Sequence, residues 1–172
     1  RFDGLALHRS VISCDGSVSG AGLFSTRPIK AGEVITCYPG DALVYSAPGS
    51  EDDEVIFGWH VPASLARAED CFGRWVDYGL FEDADYAVVG IPELNEDVAY
   101  AGHFCNDGAM LAADDEASVA RYEAETAQRQ NAMHTDLEGL HMVTVATRDI
   151  AAGEEVLVSY GTDYWLEHRR RK

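Results

Sequence analysis

The sequence predicts a mainly β domain with small helices, an α+β arrangement, and three observations carry that expectation. Apolar and polar residues alternate in short runs at 11–14, 22–25, 34–38, 86–89, 142–146 and 156–160, a period near two that reads as half-buried strands. Residues with fixed or permissive backbone angles separate those runs: Pro28, Ala31-Gly32, Pro39-Gly40, Pro48-Gly49, Pro92 and Ala152-Gly153. Only two stretches break the pattern toward helix. At 62–70 a proline stands at the start, where a missing N–H costs nothing. At 114–132, Asp114, Asp115 and Glu116 open the segment where a helix N-terminus favours negative charge, and Ala, Arg, Glu and Gln follow, which predicts a surface helix inserted between strands.

The chain has 172 residues, one domain's worth, and its 47% hydrophobic and 25% charged content is that of a folded globular chain rather than a disordered or fibrous one. No run approaches the roughly 18 consecutive apolar residues of a membrane helix, and residues 1–10 hold no apolar signal core, so the expected location is intracellular, away from membranes. Beginning at Arg1 rather than Met, the chain reads as a piece of something longer. Thirteen Lys and Arg against thirty Asp and Glu give a net charge of −17, which repels phosphate, argues against a broad nucleic-acid footprint and favours a basic polypeptide partner. The cluster His168-Arg169-Arg170-Arg171-Lys172 reads as a solvated tail. Cys14, Cys37, Cys71 and Cys105 lie more than twenty residues apart with no C-x-x-C pair, which predicts separate reduced thiols and no zinc knuckle.

Three segments carry candidate chemistry. Gly20-Ala21-Gly22-Leu23-Phe24 can bring backbone amides close to a ligand, although no third glycine and no following helix completes a dinucleotide fingerprint. In Gly102-His103-Phe104-Cys105-Asn106-Asp107-Gly108 a tight turn follows an apolar run; His103, Cys105 and Asp107 alternate, so on a strand they would share a face, but no fourth metal ligand is spaced to join them. Gly153-Glu154-Glu155 leads through an apolar run to Tyr160-Gly161, with Tyr164-Trp165 just beyond, where aromatics commonly pack as core.

In this order the segments resemble the SET-domain family of protein lysine methyltransferases. Gly20-Ala21-Gly22-Leu23-Phe24 is similar to the family's opening G-x-G-(Leu/Val)-Phe. Gly32-Glu33-Val34-Ile35 with Tyr38-Pro39-Gly40 is similar to its continuation, and Gly153-Glu154-Glu155 through Tyr160-Gly161 to its closing Gly-Glu-Glu-Leu…Tyr-Gly. Asn106-Asp107-Gly108 stands where the family has Asn-His-Ser, and Gln130-Asn131-Ala132 where it has Pro-Asn-Cys or Pro-Asn-Ala. The resemblance implies a SET domain over 1–165, built of short curved sheets with a pseudoknot-like C-terminal segment. A variable insert falls at about 45–97, a helical insertion at about 114–132, and a short segment at 162–172 covers the site without zinc. Two departures stand out: Asp107 replaces the His, and the link from there to Asn131 is longer than usual.

The reaction the resemblance implies is methyl transfer from S-adenosylmethionine to a lysine side-chain nitrogen. A free lysine is nearly all ammonium at neutral pH, its pKa being near 10.4, so the site must ease loss of a proton before attack. A nearby sulfonium charge and a dry aromatic channel both do so. By the resemblance Tyr160 and Tyr38 are the catalytic tyrosines. Gly20, Ala21, Gly22 and Leu23 would contact the cofactor through backbone, and Phe104, Asn106, Asp107 and Trp165 would complete its site. Tyr38, Val158, Tyr160 and Tyr164 would line the substrate channel, Val158 leaving room for more than one methylation unless another tyrosine, such as Tyr122 or Tyr164, fills the same volume, and no metal takes part. The implied substrate is a basic protein or peptide, foremost a histone tail, in the nucleus, with Glu51-Asp52-Asp53-Glu54 and Asp114-Asp115-Glu116 steering it. Two other readings stand beside this one: a catalytically silent SET-like binding module, and an unrelated acidic β-rich domain that recruits basic partners by charge.

Overall fold

The computed structural model describes residues 3–10, 13–14, 17–18, 20–45, 53–81, 86–137 and 141–171. The first two residues of the strand expected at 11–14, the Pro48-Gly49 turn, the acidic pair Glu51-Asp52 and Lys172 lie outside them. In chain order the elements are β1 (Leu5–Arg9), β2 (Ser13–Cys14), β3 (Ser17–Val18), β4 (Ala21–Ser25), β5 (Val34–Cys37), β6 (Ala42–Tyr45), β7 (Glu54–Phe57), α1 (Ala68–Phe72), β8 (Gly79–Phe81), β9 (Tyr86–Val89), β10 (Asn106–Asp107), α2 (Glu116–Arg129), β11 (Ala132–Leu137), β12 (His141–Ala146), β13 (Leu157–Val158) and α3 (Thr162–Arg171). The fold is mostly strand, in small antiparallel sheets with a few short helices. β1 pairs β4, β2 pairs β3, β12 lies between β11 and β5, and the largest sheet runs β7-β6-β9-β8. β10 and β13 pair in parallel.

The two Ala-Gly turns work as a pair. Gly32 and Gly153 take φ of +83° and +85°, a conformation that an L side chain would strain, which is why glycine ends both turns. Ile29 and Ile150 bridge across the entry to them, and Asp149 receives the Lys30 ammonium at 2.6 Å and the Ala31 amide at 3.0 Å. The turns thereby hold the start of β5 beside the approach to β13.

Three clusters of buried side chains form the core. Leu23, Ile35, Phe104, Val156 and Val158 belong to the central one; Val44, Trp75, Val89 and Ile91 fill a second beneath the largest sheet; Leu111, Tyr122 and Trp165 form a third. Segment 155–158 threads between earlier parts of the chain. Val156 N–H donates to Leu23 O at 2.8 Å, Leu157 exchanges bonds with Asn131, and Gly108 N–H donates to Val158 O at 3.1 Å.

The helices differ from expectation in instructive ways. The Leu65 and Ala66 amides bond Pro62 O to close a turn, Arg67 is extended, and only then does α1 run over Ala68–Phe72, later than the proline suggested. α2 lies within the stretch expected to be helical, capped by Asp115, which accepts from Ser118 N at 2.9 Å. It is more than a surface helix, because Tyr122 and Thr126 are buried on its inner face. The basic cluster is not a loose tail: 168–171 close α3, where Arg171 and His168 reach Asp77 at 2.8 and 3.1 Å, and cations suit the negative end of the helix. No helix among the described residues is long and apolar enough to cross a membrane. Among those residues Cys37, Cys71 and Cys105 are free thiols.

Candidate functional site

The parallel pair of β10 and β13 sets Asn106 against Leu157 and Asp107 against Val158, which brings the Asn-Asp-Gly turn beside the strand that leads to Tyr160. Asn106 Nδ2 donates to Glu155 Oε1 at 2.9 Å and to Ala21 O at 3.3 Å. A carboxylate and a carbonyl can only accept, so the amide nitrogen belongs on that side and Oδ1 is left as an acceptor. Glu155 is 5% exposed and also takes the Ser10 hydroxyl at 2.6 Å. A Cβ on Gly22 would lie 2.2 Å from Glu155 Oε1. The second glycine of the Gly20-Ala21-Gly22 motif is thus what lets a buried carboxylate sit against β4.

Two clefts meet above this pair. The smaller, about 240 Å³, lies against Gly20, Ala21 and Asn106, with Trp165 on its wall. The larger, about 440 Å³, runs past Tyr38, His134 and Leu80 to Asp163 and Glu167 on α3. Asp77, His103, Tyr160 and Tyr164 line both, so the shared wall is aromatic.

Tyr160 is fixed at this wall. Its hydroxyl donates to Cys105 O at 2.9 Å, Tyr164 meets its ring edge-on at 4.7 Å, and Trp165 stacks at 6.1 Å. The Tyr38 hydroxyl donates to Tyr78 O at 2.7 Å, with the rings of His103 and His134 edge-on to it. Burial, reinforced for Tyr160 by the neighbouring Tyr164, pushes both phenols far above their ordinary range. Both phenols are neutral at pH 7. Burial pushes His103 and His134 down to about 4, leaving neutral imidazoles at pH 7, and raises the Cys105 thiol to about 12.

His103 is 6% exposed and neither ring nitrogen has a partner. Unpaired buried polar atoms cost about 1–3 kcal/mol each, which marks the junction of the clefts as a place built for polar company.

Several residues named from the sequence sit elsewhere than expected. Val158 is 1% exposed in the central cluster and does not line the larger cleft, because its short strand is packed from both faces; Ser159 beside it does line that cleft. Phe104 is likewise core, turned inward by the one-turn helix at Gly102–Phe104. The same turn breaks the alternation of His103, Cys105 and Asp107, and among the described residues no group of three His, Cys, Asp or Glu could hold a metal ion. The Leu23 side chain is fully buried, while Gly20 and Ala21 border the smaller cleft. Asp107 borders that cleft too, but the residue is 2% exposed and its carboxylate is taken up by protein donors. Tyr164 lines both clefts and Trp165 the smaller one. Glu155, Asp77 and His134 were not singled out from the sequence. Only Glu155 carried a signal, as the second acid of Gly-Glu-Glu.

A family model for the SET domain matches residues 20–161, and the chain belongs to that family, whose members are in general protein lysine methyltransferases that typically use S-adenosylmethionine. No curated protein sequence matches the chain. Among solved structures, a candidate histone methyltransferase of Plasmodium falciparum is 17% identical, covering 94% of this chain and 96% of that one with a TM-score of 0.42.

Proposed function

We propose that this chain transfers a methyl group from S-adenosylmethionine to a lysine side-chain nitrogen of a basic polypeptide, foremost a histone tail, in the nucleus. The observation that supports this most is the meeting of the two clefts at Tyr160, with Asn106 directly beneath the smaller one.

The residues of the smaller cleft suit the cofactor. Gly20 carries no side chain that would block approach, Asn106 offers Oδ1 as an acceptor for an ammonium group, and His103 forms part of the wall. When bound, S-adenosylmethionine supplies a methyl group on a positively charged sulfur, which leaves as an amine attacks in line.

The chain's own residues then have distinct tasks. Asp163 and Glu167 at the larger cleft favour entry of a cationic side chain. The rings of Tyr38, Tyr160 and Tyr164 make an apolar wall, which favours the neutral amine over the ammonium. The proton leaves to solvent through the open larger cleft, since no neutral phenol can take it. Tyr160, clamped on Cys105 O, orients the nitrogen so that its lone pair meets the methyl group, and such alignment provides much of the rate.

The test is incubation with methyl-labelled S-adenosylmethionine and core histones, read by mass spectrometry. Label on a lysine side chain is expected. Tight cofactor binding with no transfer to any basic protein would instead identify a silent module.

A further inference from the structure

We propose that Tyr122 of α2 and Asp107 are positioning residues for Tyr160, so that the helix inserted between β10 and β11 is part of the catalytic apparatus. The inference rests on the reading of Tyr160 as the phenol that orients the target amine.

The ladder of β13 stops at Val158, so the peptide N–H groups of Tyr160 and Gly161 have no strand partner. Side chains take their place. Tyr160 N–H donates to Asp107 Oδ2 at 3.0 Å, and Gly161 N–H donates to the Tyr122 hydroxyl oxygen at 3.1 Å. The Tyr122 hydroxyl in turn donates to Asp107 Oδ2 at 2.6 Å. Two successive peptide groups, at a turn where Gly161 has φ of +83°, are therefore held by this hydrogen-bonded pair, with Ser159 Oγ a second, longer acceptor for Gly161 N–H at 3.3 Å.

The carboxylate reaches further. The indole of Trp165, which stacks on the Tyr160 ring, donates to Asp107 Oδ2 at 2.8 Å, and Oδ1 receives the Thr126 hydroxyl at 3.2 Å and Ala109 N–H at 3.1 Å. Five donors thus converge on the carboxylate of a buried residue, and no ion pair among the described residues involves it. A buried charge balanced by neutral donors alone is sensitive to the loss of each. The hydroxyl of Tyr160 is tied to Cys105 O, two residues before Asp107. Backbone, ring and hydroxyl of Tyr160 are consequently all referred to segment 105–107, and α2 locks that reference through Tyr122. Asp107 thereby has a task that the family's His at this place would not perform in the same way.

Tyr122→Phe removes one hydroxyl and keeps the ring in its core. Val119→Ala thins the packing of α2 against the same cluster without touching the carboxylate, and reports purely structural loosening. In Tyr122→Phe, kcat on a histone peptide should fall at least about tenfold, since small misplacements of reacting groups cost up to about a hundredfold, while peptide KM and calorimetric cofactor Kd stay within about threefold. Amide hydrogen exchange at Gly161 should quicken about two- to tenfold in Tyr122→Phe, Ser159 Oγ remaining as an acceptor, and should not in Val119→Ala. Val119→Ala should keep kcat within about threefold. Unchanged kcat or unchanged Gly161 exchange in Tyr122→Phe would overturn the proposal, as would equal loss of kcat in Val119→Ala at matched stability. A wild-type chain that transfers no methyl group fails the proposed function instead, and Gly161 exchange still decides whether Tyr122 anchors the turn.

Discussion

Asn106 donates its side-chain amide to the buried carboxylate of Glu155 across 2.9 Å. Because Ala21 O, the other partner of that nitrogen, is also an acceptor, the amide has one sensible orientation, and its oxygen is held ready for a donor. The relationship links the first and last motifs of the chain: β4 provides the space at Gly22, and the Gly-Glu-Glu turn provides the charge.

Asn106→Ala should weaken cofactor binding by roughly tenfold to a hundredfold, since a hydrogen bond to a charged group is worth about 1.5–3 kcal/mol. Calorimetric titration with S-adenosylmethionine measures it. Glu155→Gln should weaken binding in the same direction, and the two effects should not add, because the carboxylate acts through Asn106. Additive losses would separate the two residues.

Asn131 is fully buried, donating to Glu155 O at 2.8 Å and accepting from Leu157 N–H at 2.8 Å. Asn131→Ala strands two buried backbone groups and should cost roughly 2–5 kcal/mol in urea unfolding. A loss under 1 kcal/mol would mean that water replaces the side chain.

Stability should depend on pH through His103. The folded ring has its pKa lowered to about 4 from 6.5, so between those values the unfolded chain binds a proton that the folded chain refuses. Stability is therefore full above pH 6.5 and declines as pH falls toward 4, by up to ~3 kcal/mol. His134, lowered to about 4, acts in the same direction. The carboxylates lowered by their partners, Glu33, Asp115, Asp149 and Glu154, start from 4.5 or 3.8 and lose their share only below that range. Thermal unfolding from pH 7 to 4.5 isolates the histidines, and His103→Phe should flatten the slope.

Asp163 and Glu167 lie one helical turn apart on α3 and both face the larger cleft. Asp163→Asn with Glu167→Gln should lower kcat/KM for a lysine-rich peptide roughly tenfold at low salt, with the difference shrinking at high salt as screening sets in. A salt-independent effect would point to lost packing rather than lost charge.

Turns and caps were legible where a residue has a local physical task. Gly32 and Gly153 need positive φ, and Asp115 caps a helix. Strands with clean alternation, such as Tyr86–Val89, fell where the pattern placed them. Glu54–Phe57 and Gly79–Phe81 escaped notice, being short edge strands whose residues are paired on one side only. The orientation of Val158 was not legible either: two residues buried on both faces have no polar side to reveal their phase. Asp107 shows the limit most clearly. As one residue of a turn it signals only the turn, while its five donors come from stretches as far along the chain as Trp165.

The most direct measurement is single-turnover methyl transfer with saturating cofactor, comparing wild type with Tyr160→Phe on the same histone peptide. The phenol stands at the junction of both clefts, so its hydroxyl should matter to the chemical step and little to cofactor binding. A rate at least about tenfold lower is expected, the scale of misplacing a reacting group, because the hydroxyl oxygen held by Cys105 O no longer accepts from the amine, with cofactor Kd within a few-fold. Wild-type turnover by Tyr160→Phe would contradict it.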